Sequence, residues 1–156
     1  MKKKSHILIL GGTGFLGKSL NNHLNLSDDY NVTSISSKEI DLRQKSLSDK
    51  LINYYDENST IIFLSAIKRN FGDSLDTYHQ NIKIGMTVVN ALQKKSIKHL
   101  IYVSSCAVYG EKNEQKNITE TANINPTSFY GDSKVSLEIM LKHMKNDGRI
   151  NYLSMI

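Results

Sequence analysis

An apolar run that ends in glycines at every third position constrains this chain more than any other feature. The stretch His6-Ile7-Leu8-Ile9-Leu10-Gly11-Gly12-Thr13-Gly14-Phe15-Leu16-Gly17 reads as a short buried strand, a tight turn and the start of an amphipathic helix. Glycines in such a turn let the backbone approach a pyrophosphate closely. The helix that begins there aims free N–H groups and the positive end of its dipole at the phosphates. Gly11, Thr13, Gly14, Phe15, Leu16 and Gly17 are therefore the expected phosphate-binding positions. A glycine-rich turn with no ligand is the plain alternative.

The length of 156 residues suits one domain with a real core, and the expectation is a single dinucleotide-binding domain over residues 1–156. No apolar run is long enough to span a bilayer, so no membrane role is expected. Met1-Lys2-Lys3-Lys4 looks like the start of a signal peptide, but the apolar run behind it is too short for one. A single cysteine, Cys106, allows no intrachain disulfide and suits a reducing, cytoplasmic setting. In that setting the glycosylation pattern Asn117-Ile118-Thr119 carries no meaning. The five histidines show no ligand spacing, so no metal is expected. The net charge of +5 is spread along the chain without an aromatic-interleaved basic stripe, which argues against nucleic acid as a partner. A mild positive field still favours an anionic dinucleotide or a nucleotide sugar.

Strand and helix signals alternate. Residues 6–10, 31–36, 59–65, 99–105 and 150–155 read as strands. Residues 14–26 read as a helix with Leu16, Leu20 and Leu24 on one face. Residues 45–57 form a weaker helical pattern. Residues 76–95 form a longer one with Ile82, Met86 and Val89 in a stripe, and residues 129–147 another. Residues 111–127 are polar and loop-like. Residues 39–42 could be an extra strand, but they follow the second strand too closely for a parallel crossover and are expected as extended loop. The alternation implies right-handed βαβ units: an α/β fold with a doubly wound, Rossmann-type parallel sheet and helices on both faces.

With eight tyrosines in a lysine-rich chain, about one Tyr-x-x-x-Lys pair is expected by chance. Position gives Tyr130 and Lys134 their weight. They open a helix, follow Pro126, and come after a strand ending in Val103-Ser104-Ser105-Cys106-Ala107-Val108-Tyr109-Gly110. Tyr130-Gly131-Asp132-Ser133-Lys134 resembles the Tyr-Gly-x-Ser-Lys of the extended short-chain dehydrogenase/reductase family, of the NAD-dependent epimerase/dehydratase type. The serine run and the G-x-x-G-x-x-G loop resemble that family's segments in the same order. The resemblance covers essentially the whole chain and implies enzymes of nucleotide sugars.

In a Rossmann site an acidic residue at the tip of the second strand usually holds the ribose hydroxyl and selects NAD. Here the tip reads Ser36-Ser37-Lys38-Glu39. The hydroxyls and Lys38 suit a 2′-phosphate and lean the expectation to NADP; Glu39, swinging back, would serve NAD. The resemblance adds Asp41 and Leu42 beside the adenine, Leu64, Ser65 and Ala66 beneath the ribose, and Asn81 as the family's mid-helix asparagine.

The resemblance makes Tyr130 the catalytic acid–base, Lys134 its partner and a contact to the nicotinamide ribose, and Ser105 the hydroxyl that orients the substrate oxygen. A phenol must fall about three pKa units to act near neutral pH, which needs about 4 kcal/mol. An ammonium one helical turn away favours the phenolate, and the oxidised nicotinamide would add to that. Cys106 and Ala107 stand where the family's dehydratases keep an Asp-Glu pair, so an epimerase or reductase is the nearer expectation. Enzymes of this kind continue past this length with their substrate-binding segments, so the C-terminal substrate part is expected to be absent. The strand that would precede it leaves apolar surface open to self-association, and a homodimer is one outcome. Three functions stay open: a nucleotide-sugar oxidoreductase, a non-catalytic NAD(P)-binding module, and a truncated, idle form of the enzyme.

Overall fold

The continuous apolar run of residues 7–10 becomes the second position of a five-stranded sheet, flanked on both sides and buried on both faces. The computed structural model describes residues 4–110 and 118–156. Most of the Met1–Lys4 run and Asn117 of the glycosylation pattern, with part of the 111–127 loop, lie outside the described residues. The strands are β1 (Ser5–Leu10), β2 (Tyr30–Ile35), β3 (Thr60–Phe63), β4 (Ile97–Tyr102) and β5 (Ile150–Met155). All pair in parallel, in the order β2-β1-β3-β4-β5. Leu10 is in register with Ile35 and Phe63, Phe63 with Tyr102, and Tyr102 with Met155, so the carboxyl ends of the strands form one edge. The order reverses between β1 and β3, and the crevice above such a reversal is where open α/β sheets bind ligands.

Alternate side chains of each strand feed two cores. Leu8, Leu10, Ile61, Phe63, Leu100 and Tyr102 point into the larger one. There they meet helix α3 (Leu75–Lys94) and helix α4 (Phe129–Asn146) through Ile84, Val88, Leu92, Leu137 and Leu141. Ile7, Ile9 and Ile62 point the other way, against Leu20 and Leu24 of helix α1 (Phe15–Leu24). The stripe expected on α3 is shifted. Ile84, Val88, Val89, Ala91 and Leu92 are its buried apolar residues, so Val89 of the expected stripe is buried while Ile82 and Met86 lie at the margin. Likewise Leu16, expected with Leu20 and Leu24 on the buried face of α1, is 44% exposed.

The helix expected over residues 45–57 is broken into a 3₁₀ turn (Lys45–Leu47), a single α turn, α2 (Ser48–Leu51), and another 3₁₀ turn (Ile52–Tyr54). Serine, aspartate, asparagine and tyrosine are weak helix formers, and no side chain caps the segment. Leu51 and Tyr55 still anchor it in the core. Residues 39–42 are loop, as their spacing requires, with Ile40 and Leu42 buried beneath it. β4 stops at Tyr102, so Val103, Ser104 and Ser105 leave the sheet before a 3₁₀ turn at Cys106–Tyr109.

Candidate active site

Leu10 hands the chain to Gly11, whose φ of +95° turns the backbone out of the sheet in a conformation that other residues rarely adopt. The N–H groups of Gly11 and Gly12 both donate to the Ile35 carbonyl of β2, each at 3.0 Å. Gly17, the buried residue of α1, lies so close to the turn that a Cβ there would sit 2.3 Å from the Gly11 carbonyl oxygen. The first turn of α1 has Gly14 at its cap, no side-chain cap bond and no acidic residue. Its N–H groups therefore face outward with the dipole's positive end, an arrangement suited to an anion.

Above this turn lies a cavity of about 610 Å³ at the β1/β3 reversal. Gly11, Thr13, Gly14, Ser36, Asp41, Leu42, Leu64, Ser65 and Ala66 line it, nine of the positions expected from the sequence. Phe15 (87% exposed) and Leu16 stand on the first turn of α1, outside that lining. Asn81 does not line it either. It is buried in α3 and clamps the loop that does: its amide oxygen accepts from the Ile67 N–H at 2.7 Å and its nitrogen donates to the Ile67 carbonyl at 3.1 Å.

The tip of β2 differs from expectation. Lys38 is exposed and off the cavity wall. The Ser36 N–H (2.9 Å) and hydroxyl both donate to the Glu39 carboxylate, which these bonds hold below the usual carboxylate range. The cations on the wall are Arg43 and Lys68, and the Arg43 Nε and Nη2 grip both oxygens of Asp41 at 2.8 and 2.7 Å. That pair pulls Asp41 down and Arg43 up from their ordinary pKa values. Sequence reasoning missed Arg43; the acid–base spacing at 41 and 43 was the available signal.

At the next strand end, α4 begins with Ser128, whose side chain accepts from the Gly131 N–H at 3.0 Å. The Tyr130 N–H donates to Asp73 at 3.0 Å, tying α4's first turn to the start of α3. Tyr130 and Lys134 face the segment leaving β4. The Lys134 Nζ lies 5.6 Å from the centre of the Tyr130 ring and 4.9 Å from that of Tyr102, and it donates to the Val103 carbonyl at 2.9 Å. Lys134 is 3% exposed, and burial lowers its pKa to about 8, against a smaller upward pull from Glu138. Tyr130 departs from the simple expectation of a depressed phenol. Burial raises its pKa, the Ser105 hydroxyl pulls it down, and Cys106 adds a smaller upward push. Desolvation outweighs the Ser105 hydrogen bond in the protein alone. Sequence reasoning also missed Glu138, a buried carboxylate that accepts from the Ser104 hydroxyl.

Among the described residues no group of histidine, cysteine and carboxylate side chains is placed to hold a metal, and no helix is long and apolar enough to cross a membrane.

A family model described as the NAD dependent epimerase/dehydratase family matches residues 7–156. A UDP-glucose 4-epimerase of Bacillus subtilis is 28% identical over 163 residues, covering 88% of this chain and 47% of that protein. A probable UDP-arabinose 4-epimerase of Arabidopsis thaliana is 25% identical, over 88% of this chain and 39% of its own. Among solved structures, a UDP-Glc/GlcNAc 4-epimerase of Campylobacter jejuni aligns with a TM-score of 0.80 at 19% identity, over 97% of this chain and 53% of its own. RMD of Pseudomonas aeruginosa, complexed with NADPH, aligns with a TM-score of 0.79 at 22% identity, over 97% and 53%. The chain spans less than half the length of the curated relatives it matches.

Proposed function

The chain belongs to the NAD dependent epimerase/dehydratase family, and from that premise we propose that it is the cofactor domain of a nucleotide-sugar oxidoreductase of the epimerase or reductase type. The observation that carries the proposal is the gathering of Tyr130, Lys134 and Ser105 at the end of β4, one strand along the same carboxyl edge from the crevice at the β1/β3 reversal, whose lining does not include them. The crevice fits such a cofactor: an uncapped helix start faces it, and the turn beneath has no room for a Cβ at Gly17.

In this proposal Gly11, Thr13 and Gly14 hold the diphosphate, Asp41 and Leu42 flank the adenine, and Leu64, Ser65 and Ala66 lie under the ribose. The oxidised nicotinamide dinucleotide supplies, when bound, a hydride acceptor and a positive charge beside the phenol. Tyr130 takes the proton from a sugar hydroxyl, and Lys134 stabilises the phenolate through space and reaches the nicotinamide ribose. Ser105 donates to the same substrate oxygen and orients it. With Cys106 and Ala107 in place of two carboxylates, the chain has no acid–base pair there to eliminate water.

NADP remains the proposed form, now on other residues. The Ser36 N–H and hydroxyl already hold an anion, the Glu39 carboxylate, and Arg43 stands on the same wall. A 2′-phosphate would replace one anion by another. A larger melting shift with NADP than with NAD supports this; the reverse order assigns Glu39 to the ribose of NAD. We propose a cytoplasmic setting on the single cysteine. Self-association is also proposed, through the edge strand β5, where Tyr152 is 63% exposed, and Ile156 just after it, 75% exposed. Light scattering of the purified chain tests it.

The chemical proposal is tested by mixing the chain with oxidised NADP or NAD and UDP-glucose and following fluorescence of the reduced cofactor. Wild type is expected to develop signal. Tyr130→Phe is expected to develop none while keeping its dinucleotide melting shift. Loss of the shift in that variant would move Tyr130 from the chemistry to binding. A non-catalytic module is the second reading, favoured by the raised Tyr130 pKa. It predicts a melting shift and no signal from wild type.

A further inference from the structure

Three consecutive residues leave β4, and each is engaged by one of three α4 residues spaced four apart. Ser105 faces Tyr130. Val103 offers its carbonyl to Lys134 at 2.9 Å. Ser104 donates its hydroxyl to Glu138. Positions 130, 134 and 138 fall on one helix face. The first two belong to the site already described. The third is a carboxylate, 8% exposed, one turn beyond a lysine that is 3% exposed. A buried carboxylate is costly unless it is hydrogen-bonded and near an opposite charge, and Glu138 has a serine for the first and Lys134 for the second.

We propose that Glu138 is a positioning residue of this site: its carboxylate, tethered by Ser104, fixes the segment that carries Ser105 and supplies the negative charge that keeps the neighbouring Lys134 an ammonium beside Tyr130. The inference rests on the functional reading above for its purpose, though its physical content does not need it. Other ionisable groups act around Lys134. β4 brings Tyr102, whose ring lies under the ammonium, and the 3₁₀ turn brings Cys106, which bears on Tyr130. Where α3 and β5 pack against α4 their ionisable contacts lie at other positions: the Tyr78 hydroxyl pairs with Ser136, and Lys145 donates to the Asn151 carbonyl. Of the charged groups, Glu138 is the one that favours the protonated lysine. Serine at 104 therefore has a task of its own, distinct from that of Ser105.

The test is an NMR pH titration of the chain with ¹³C-labelled lysine, the Lys134 signal being assigned by its loss in Lys134→Met. In Glu138→Gln, which keeps shape and the Ser104 contact but removes charge, the Lys134 midpoint is expected to fall by about one unit or more. Glu138→Asp is expected to restore part of that fall. A midpoint unchanged in a folded Glu138→Gln overturns the proposal. Should that variant not fold, wild type labelled at the glutamate carboxyl carbon decides. The Glu138 signal is expected to move in a second step at the Lys134 midpoint, and no such step overturns it. Dinucleotide melting shifts are read separately. A lysine response without a melting shift supports the Glu138 role and ends the cofactor reading, whereas a melting shift without a lysine response overturns the Glu138 role alone.

Discussion

The Lys134 ammonium donates to the Val103 carbonyl at 2.9 Å from a position only 3% exposed. This contact is held at a cost to the fold. A drop in pKa from 10.5 to about 8 corresponds to about 3 kcal/mol that folding gives up whenever the lysine is charged in both states.

Stability should therefore rise with pH between about 8 and 10, because the unfolded chain binds more protons at this lysine than the folded one in that window. Above pH 10 the trend should reverse. Tyr55, Tyr102 and Tyr130 have raised pKa values, so the folded chain then holds the extra protons. Lys134→Met is expected to raise the pH 7 melting temperature, and the gain should shrink as pH climbs past 8. Urea unfolding of both proteins from pH 7 to 10 checks the crossing slopes.

Tyr102 is fully buried, and its hydroxyl has no hydrogen-bond partner among the described residues. Tyr102→Phe keeps the ring beneath Lys134 and tilted against Phe63 while removing an unmet polar group. It is expected to leave stability unchanged or to raise it by about 1 kcal/mol. A loss of 2 kcal/mol or more, on the order of a lost buried hydrogen bond, would reveal a partner for that hydroxyl.

Gly85 marks a tight approach of α3 to α4. A Cβ there would lie 1.8 Å from a Leu137 methyl. Gly85→Ala is expected to cost about 1–3 kcal/mol through overpacking. Adding Leu137→Ala should make the pair far less than additive, since each change relieves the other. Additive losses in chemical denaturation would mean that the two helices do not meet there.

Asn81 secures the loop after β3 with one side chain serving both the N–H and the carbonyl of Ile67. Asn81→Ala strands both groups and should cost about 1–3 kcal/mol. It should also weaken dinucleotide binding, because Leu64–Ile67 line the crevice. Calorimetry showing full affinity in the variant would limit Asn81 to a structural role.

The sheet was legible because burial on both faces demands continuous apolar runs such as Ile7–Leu10, and because glycine spacing ties a turn to a helix start. The α3 stripe was shifted at Ile82 and Met86, though not at Val89, because that helix is buried beyond one face and a three-residue stripe cannot select the centre. The 45–57 segment was legible as weakly helical, but its breakage depends on missing caps that periodicity does not register. At the site, motif order brought Tyr130, Lys134 and Ser105 together on paper, and the nine crevice positions came from the glycine run, the β2 tip and the family resemblance. Lys38 lies nearer the β2 tip than Arg43, but proximity in sequence says nothing about which side chain lines the crevice. Glu138 was invisible for a related reason: a glutamate in mid-helix reads as solvated until β4 is placed against it. The raised Tyr130 pKa shows the same limit, since spacing reports a nearby charge but not the desolvation that opposes it.

The central claim is that the first turn cradles the diphosphate of a nicotinamide dinucleotide. Thermal melting of wild type and Gly17→Ala with added NADP or NAD tests it most directly. Wild type should gain about 2.7 kcal/mol at a ligand concentration one hundred times the Kd. Gly17→Ala, whose new Cβ meets the Gly11 carbonyl at 2.3 Å, should melt lower and gain nothing. A wild type unmoved by either dinucleotide, or a Gly17→Ala variant that responds as fully as wild type, would contradict it.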